Sequence, residues 1–218
     1  MREYKYIIFD LDGTLCDSNK AVEYCLLKTL ENFNIHTHKY EIQRLLSEGH
    51  NPQDIFKRLA DIKNINNVMD IYKAIYNSGK GNNLSKIYAG TYEILDILKS
   101  RDFKIILKSQ KNINDMTNTL SFFRLHNYID LCIAENEEIL DRPHLDIFNE
   151  IIKNTYTDIN TENILMVGDT ELDIQFAKNH SIDSCWTTYG YGNVDKCLAL
   201  EPTYNIESLI FLLEILDF

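Results

Sequence analysis

The stretch YKYIIFDLDGTLCDS, residues 4–18, decides the fold of this chain, because an apolar run ends there in two aspartates and a turn. The run at 6–9 is short and apolar, which is typical of a buried strand. Asp10 and Asp12 follow it one residue apart, and Gly13 then allows the chain to turn tightly. Carboxylates placed where a buried strand ends cost free energy unless another group compensates their charge. The rest of the sequence therefore has to supply a compensating group.

The composition is that of a globular protein, and the length allows one sizeable core or a core domain with a smaller insert. The chain has 218 residues, of which 44% are hydrophobic and 25% are charged. Apolar runs such as 209–213 are too short to cross a membrane, and the first residues carry no secretory leader pattern. The formal net charge of -11 disfavours a nucleic-acid partner and is compatible with a site for a divalent cation. We expect neither a membrane nor a nucleic acid as a partner, and we make no prediction of the oligomeric state.

The cysteines indicate the redox environment of the protein. There are five of them, they lie far apart in the chain, and they form no CxxC pair. This spacing argues against a zinc site and against a disulfide framework. It favours a reducing compartment, so we expect a cytoplasmic protein whose cysteines are ordinary packing residues.

Strand-like and helix-like patterns alternate through much of the chain. This alternation is typical of a parallel sheet with helices on both faces, so we predict an α/β fold with a Rossmann-like, doubly wound sheet. The predicted strands are 6–9, 104–107, 131–134, 164–167 and 182–186. The predicted helices of this core are 92–100, 113–122, 144–154, 172–179 and 206–216.

One segment, from about residue 19 to residue 79, interrupts the alternation with helical patterns only. Helices are predicted there at 21–33, 40–46, 53–62 and 68–77, and the stretch NSGKGNN, 77–83, predicts a flexible return to the core. We interpret the segment as a helical cap inserted after the first strand. The predicted cap is 17–84, and the predicted core is 1–16 together with 85–218. The alternative is that these helices only cover the sheet.

A second acidic pair suggests what compensates Asp10 and Asp12. In ILMVGDTELDIQFA, Asp169 follows another predicted strand, and Asp173 comes one helical turn later. Ligands of open parallel sheets gather at the carboxyl ends of the strands, so we expect these four carboxylates to converge. Carboxylates that close cannot all remain ionised without a cation, and oxygen ligands suit Mg²⁺. The sequence therefore predicts a Mg²⁺ site.

Other polar residues at strand ends could hold a phosphoryl oxygen. FKIILKSQK ends a predicted strand at Ser109, with Lys111 just beyond, and DRPHLDIF places Arg142 before a predicted helix. A hydroxyl and a cation at such positions suit an anionic oxygen. Taken alone, Ser109 is commonly a turn or cap residue and Arg142 a surface charge.

Together, and in this order, these motifs resemble those of the haloacid dehalogenase-like (HAD) superfamily. FDLDGTLCDS matches the first motif closely and VGDTELD the fourth, whereas KSQK matches the second loosely and RPHLDIF the third with one change. Nearly the whole chain is similar to the branch of phosphoglycolate phosphatase and β-phosphoglucomutase, which carries a helical cap. The resemblance implies Mg²⁺ as the cofactor and a small phosphate ester as the substrate.

The resemblance also implies roles for the four carboxylates. Asp10 would attack phosphorus and form an aspartyl-phosphate. Asp12 would protonate the leaving oxygen and then accept a proton from the hydrolytic water. Mg²⁺ would bridge Asp10, the backbone carbonyl of Asp12 and Asp169. Asp173 would hold the metal or its waters.

The groups that bind phosphate depart in part from the family pattern. The resemblance implies that Ser109 and the backbone N–H groups near Leu11 and Asp12 bind the phosphoryl oxygens. The third motif usually offers a lysine, and its position is occupied here by Arg142, which keeps the charge but is larger and forked. We expect Arg142 in the site, with Lys111 as the alternative source of the cation.

The second motif also allows two alignments. Lys108 stands where a small or apolar residue is commoner in the family. An alternative alignment would place Lys108, rather than Ser109, at the motif position. We prefer Ser109, because only this residue supplies a hydroxyl.

These features predict a Mg²⁺-dependent phosphatase for a small phosphorylated metabolite, similar to phosphoglycolate phosphatase. A phosphomutase would use the same aspartyl-phosphate, and a pyrophosphatase or a 5′-nucleotidase is compatible with the same scaffold. A catalytically weak binding module is the remaining alternative, motivated by Arg142 and the loose second motif.

Overall fold

The computed structural model describes residues 3–59, 64–134 and 148–217. Its centre is a six-stranded sheet with strands in the order β5-β4-β1-β6-β7-β8, and every neighbouring pair in it is parallel. The strands are β1 Tyr6–Phe9, β4 Lys104–Ser109, β5 Leu131–Ala134, β6 Ile164–Gly168, β7 Asp183–Thr187 and β8 Tyr204–Ile206. The predicted Rossmann-like fold is confirmed.

The central strand β1 is apolar on both sides because helices cover both faces of the sheet. Its odd-numbered residues join one buried cluster with Leu95, Leu98 and Met116, and its even-numbered residues join another with Phe148 and Ile152. This two-sided burial explains why the strand appears in the sequence as a continuous apolar run. It also places the residue after the strand, Asp10, at the sheet's carboxyl edge.

The helices fall into two groups: one group forms a separate helical segment, and the other flanks the sheet. Those of the segment are α1 Asn19–Asn32, α2 Lys39–Ser47, α3 Pro52–Leu59, α4 Ile65–Ile75 and α5 Gly81–Leu84. Those beside the sheet are α6 Thr91–Ser100, α7 Ile113–Phe122, α8 Lys153–Thr155, α9 Glu171–Asn179, α10 Val194–Ala199 and α11 Leu212–Ile215. A π-helical stretch, Phe148–Ile152, precedes α8, and short 3-10 turns lie at Thr161–Asn163 and Leu209–Phe211.

The helical segment has a hydrophobic cluster of its own. Leu26 and Leu30 of α1 pack there with Ile42, Ile55 and Phe56 from the next two helices. A two-stranded antiparallel ribbon, β2 Cys16–Asp17 and β3 Lys86–Ile87, lies where the chain enters and leaves the segment. The division into a cap at 17–84 and a core stays a prediction.

Two elements differ from the sequence prediction. The stretch 77–83 is largely helical rather than a flexible return: Tyr76–Lys80 forms a π-helical turn, and α5 follows a kink at Gly79. The predicted helix at 206–216 begins too early, because Tyr204–Ile206 pairs with β7 as an edge strand. Most of the predicted helix at 144–154 is helical from Phe148 onward, and its first residues lie outside the described part of the chain.

None of the helices in the described ranges combines the length and the apolar character that a membrane-spanning segment requires.

Candidate active site

The turn after β1 brings its residues close to those that follow β6. The backbone N–H of Gly13 donates to the carbonyl of Cys16 at 2.8 Å, and the N–H of Cys16 donates to the carbonyl of Leu11 at 2.9 Å. Gly13 has a φ of 94°, in the left-handed region that favours glycine. A side chain there would also collide with the carboxylate of Asp169. Gly13 is therefore required both for the turn and for the approach of the two loops.

The loop after β6 fixes its two carboxylates differently. Asp169 is fully buried, whereas Asp173 lies in the first turn of α9. One oxygen of Asp173 accepts hydrogen bonds from the backbone N–H of Thr170 at 3.1 Å and from the Thr170 hydroxyl at 2.8 Å. The missing side chain of Gly168 leaves the space that Asp173 occupies. Helix capping thus holds Asp173 over the end of β6.

Three of the predicted site residues form one acidic cluster. Oxygen atoms of Asp10, Asp169 and Asp173 all lie within 4.8 Å of one another. Burial, followed by the charges of the neighbouring carboxylates, raises the pKa of Asp10 well above its usual range. Burial and then the charge of Asp173 raise the pKa of Asp169 to about 7. The cluster is therefore short of positive charge, and its oxygen atoms suit a hard divalent cation.

Two residues that sequence reasoning missed hold Asp169 in place. The hydroxyl of Thr14 donates to one of its oxygens at 3.2 Å, and the backbone N–H of Tyr191 donates to the other at 2.6 Å. The phenol oxygen of Tyr191 also accepts hydrogen bonds from the backbone N–H groups of Ser18 and Asn19, at 2.6 and 3.1 Å. Thr14 lies inside the recognised first motif, but no local signal marks the backbone contact of Tyr191.

Asp12 lies beside this cluster but is compensated by the chain itself. The Lys111 ammonium lies 2.8 Å from Asp12 Oδ2 and donates to the hydroxyl of Tyr76 at 3.1 Å. Burial lowers the pKa of Lys111, but the charge of Asp12 and the contact with Tyr76 raise it above its usual range overall. Asp12 Oδ1 is buried and has no hydrogen-bond partner among the described residues. Tyr76 belongs to the helical segment, so this contact joins that segment to the core.

Ser109 and Leu11 are the remaining predicted site residues that the structure describes. Ser109 is buried at the end of β4, and its hydroxyl accepts a hydrogen bond from the backbone N–H of Lys111 at 3.2 Å. Leu11 is buried in the turn after β1. Arg142 lies outside the described residues, so its place in the site stays a prediction. The structure thus brings Asp10, Asp169 and Asp173 together and pairs Asp12 with Lys111.

Comparison with known protein families adds an independent observation to this geometry. The family model described as haloacid dehalogenase-like hydrolase matches residues 7–187, from β1 through β7. The chain belongs to the haloacid dehalogenase-like hydrolase family. The resemblance deduced from the motifs is therefore confirmed, and this HAD protein is an enzyme of the hydrolase type.

Individual relatives and solved structures cover almost the whole HAD chain. Pyrophosphatase PpaX of Halalkalibacterium halodurans is 26% identical over 214 residues, which are 98% of this chain and 97% of that protein. A Clostridium difficile structure assigned as a phosphatase has a TM-score of 0.85 and 25% identity, and the match covers 99% and 100% of the two chains. A predicted phosphoglycolate phosphatase from Haemophilus somnus has a TM-score of 0.80 and 19% identity, with 99% of both chains covered.

Proposed function

We propose that this protein is a Mg²⁺-dependent phosphatase that hydrolyses a small phosphorylated metabolite through an aspartyl-phosphate at Asp10. The observation that carries the proposal is the approach of Asp10, Asp169 and Asp173 to within 4.8 Å at the carboxyl edge of the sheet. Open α/β sheets bind their ligands at this edge. Membership of the HAD hydrolases supports the same reaction type.

The residues present fit Mg²⁺ by the chemistry of their donors. The cluster offers carboxylate oxygens, burial has made it electrostatically unfavourable, and a divalent cation would relieve that repulsion. Asp10, Asp169, Asp173 and the backbone carbonyl of Asp12 would hold the ion. When bound, the ion would supply charge stabilisation to the phosphoryl oxygens.

Asp10 and Asp12 would carry out the two halves of the reaction. A carboxylate oxygen of Asp10 forms a bond to phosphorus while the bond from phosphorus to the leaving oxygen breaks. Asp12 donates a proton to that leaving oxygen and later accepts one from the water that hydrolyses the aspartyl-phosphate. The ion pair between Asp12 Oδ2 and Lys111 orients the carboxyl group, and Oδ1, which has no hydrogen-bond partner among the described residues, would be the oxygen that carries the transferred proton.

The phosphoryl group would be held by groups at the ends of β1 and β4. We infer that the hydroxyl of Ser109 and the backbone N–H groups of Leu11 and Asp12 bind its oxygens, and that Arg142 or Lys111 adds positive charge. We also infer that residues 17–84 act as a cap over the core formed by 1–16 and 85–218. The separate hydrophobic cluster of the helical segment and the contact between Lys111 and Tyr76 support this division. The substrate would then be enclosed between the two parts.

Two substrate classes are favoured by particular relatives. The similarity to a predicted phosphoglycolate phosphatase supports a small phosphate monoester. The relatives called Pyrophosphatase PpaX support inorganic pyrophosphate as a second candidate, because they match almost the full length of both chains. Both substrates use the same attack on phosphorus and differ only in the leaving group.

The test is phosphate release from a panel of phosphoglycolate, sugar phosphates, nucleotides and pyrophosphate, with Mg²⁺ and with a chelator. We expect Mg²⁺-dependent release, with a preference for either a small monoester or pyrophosphate. A folded protein that releases no phosphate from any of these would contradict the proposal. Isomerisation of a sugar phosphate without release would instead identify a phosphomutase.

A further inference from the structure

Lys108 is a buried lysine whose side chain the proposed reaction does not use. It is the second-last residue of β4, and only 6% of it is exposed. Its ammonium lies 5.1 Å from the centre of the Phe176 ring on α9. A buried ammonium is costly unless negative charge lies close to it. We therefore expect an acidic group close to the Lys108 ammonium.

The sheet register identifies Asp10 as such a group. β1 and β4 are parallel and their register ends at the pair of Phe9 and Leu107, so Asp10 and Lys108 are the next residues of the two neighbouring chains at the carboxyl edge. Because side chains alternate along a strand, Lys108 lies on the same face as Ile106, which is also the face of Ile8, two residues before Asp10. The charge of Lys108 opposes the effect of burial and of the other carboxylates on the pKa of Asp10.

The two lysines near the end of β4 therefore meet different acidic groups. The ammonium of Lys111 is held by Asp12 and Tyr76. Lys108 lies on the opposite face of the strand from Ser109, and its charge acts on Asp10. The contribution of Lys108 to the site is separate from that of Lys111.

We propose that Lys108 is a positioning residue that balances the charge of the acidic cluster, so that the cluster holds one divalent cation and still admits an anionic phosphoryl group. This inference rests on the proposed function. Three ionised carboxylates with one divalent cation leave a net negative charge, which repels phosphate. One ammonium beside Asp10 cancels that remaining charge.

The test separates cation binding from anion binding in Lys108→Met. This variant keeps the apolar stem and removes the charge. Isothermal titration calorimetry of the folded protein measures the Kd of Mg²⁺, and then the Kd of inorganic phosphate at saturating Mg²⁺. We expect Mg²⁺ to bind about tenfold more tightly and phosphate about tenfold more weakly. Lys108→Gln should give the same opposed shifts, and Lys108→Arg should keep both values within about threefold.

The matched control is Lys104→Met, at the exposed start of the same strand, which should change neither Kd. Loss of both affinities together in Lys108→Met and Lys108→Gln would show a packing role, and unchanged affinities would show no role; either result overturns the inference. If the wild-type protein binds Mg²⁺ and phosphate but releases phosphate from no substrate, the proposed function fails while the opposed shifts remain measurable. If the wild-type protein binds no Mg²⁺, both proposals fail.

Discussion

The cluster of Asp10, Asp169 and Asp173 and the neighbouring Asp12 are compensated in different ways. The three carboxylates of the cluster approach one another to within 4.8 Å, and burial raises the pKa of Asp169 to about 7. Asp12 is instead paired with the Lys111 ammonium at 2.8 Å. The cluster has more carboxylates than nearby cations even with Lys108 beside it, whereas Asp12 is matched one to one by Lys111.

This difference teaches that closely spaced carboxylates in one sequence can serve separate purposes. A cluster that is electrostatically unfavourable by itself binds a cation strongly, because the cation removes the repulsion. A carboxylate that is oriented by an ion pair holds a fixed position, which proton transfer requires. The two regions should therefore respond in opposite directions when one carboxylate is neutralised.

The largest effect is expected for Asp10→Asn. It should lower kcat/KM by at least about 10³-fold, because the amide cannot form the aspartyl-phosphate. The same variant should raise the Tm of the metal-free protein by about 2–4 °C at pH 8, because one member of the repelling cluster loses its charge while two carboxylates of the cluster remain near Lys108. Phosphate release and thermal unfolding measure the two results. Asp102→Asn, an exposed surface change, is the control and should alter neither.

The next effect, for Asp12→Asn, should reverse the sign of the stability change. Activity should fall by about 10²–10⁴-fold, because general acid–base catalysis is lost. The Tm of the metal-free protein should fall as well, because the largely buried ammonium of Lys111 loses its charged partner. Rapid-quench measurement of phosphoenzyme follows the chemistry. A rise in Tm for this variant would place Asp12 inside the repelling cluster and remove the contrast between the two regions.

The contrast itself could be predicted from the sequence only in part. Asp10 and Asp169 each follow an apolar run, and the end of a strand is a local property, so their meeting at one edge of a parallel sheet could be deduced. The partners of Asp12 could not be deduced, because Tyr76 and Lys111 are 35 residues apart and meet only through packing of the helical segment on the core. The contact between Tyr191 and Asp169 could not be predicted for another reason. It uses the backbone N–H of Tyr191, a group that every non-proline residue has, so the residue type carries no signal.

A third prediction concerns the pH dependence of stability. Burial, and then the charge of Asp173, raise the pKa of Asp169 from 3.8 to about 7. Between these values the folded state binds more protons than the unfolded state, so stability should fall as pH rises from about 4 to 7. Thermal unfolding of the metal-free protein in chelator, across this pH range, measures the fall in stability. At pH 8, Mg²⁺ at about 100 times its Kd should raise the free energy of unfolding by about 2.7 kcal/mol. Asp169→Asn should make the slope shallower but not remove it, because burial also raises the pKa of Asp10. An unchanged slope in that variant would assign the effect to other groups.

The fold was predictable where local patterns and tertiary pairing agree. The bounds of β1, β5 and α7 were predicted as observed, because apolar runs or helical periodicity end there at clear boundaries. β8 was missed because Tyr204–Ile206 is only three residues long and is a strand only through its pairing with β7. The kinked return at 77–83 was missed because glycine and asparagine favour turns, whereas the buried ring of Tyr76 packs against Gly81 in the folded chain.

The smallest effect is expected for Tyr76→Phe, which tests the link between Asp12 and the helical segment. The variant removes the hydroxyl that accepts from Lys111 at 3.1 Å but keeps the ring, whose centre lies 4.5 Å from the ammonium. Because one hydrogen bond contributes about 1 kcal/mol, kcat/KM should fall about fivefold while Lys111 stays with Asp12. Steady-state kinetics measure the change, and Tyr24→Phe, in the same helical segment, is the matched control. A loss as large as that of Asp12→Asn would mean that Tyr76 takes part in the chemistry. Asp12, Lys111 and Tyr76 would then have to be treated as one catalytic unit to which both the core and the helical segment contribute.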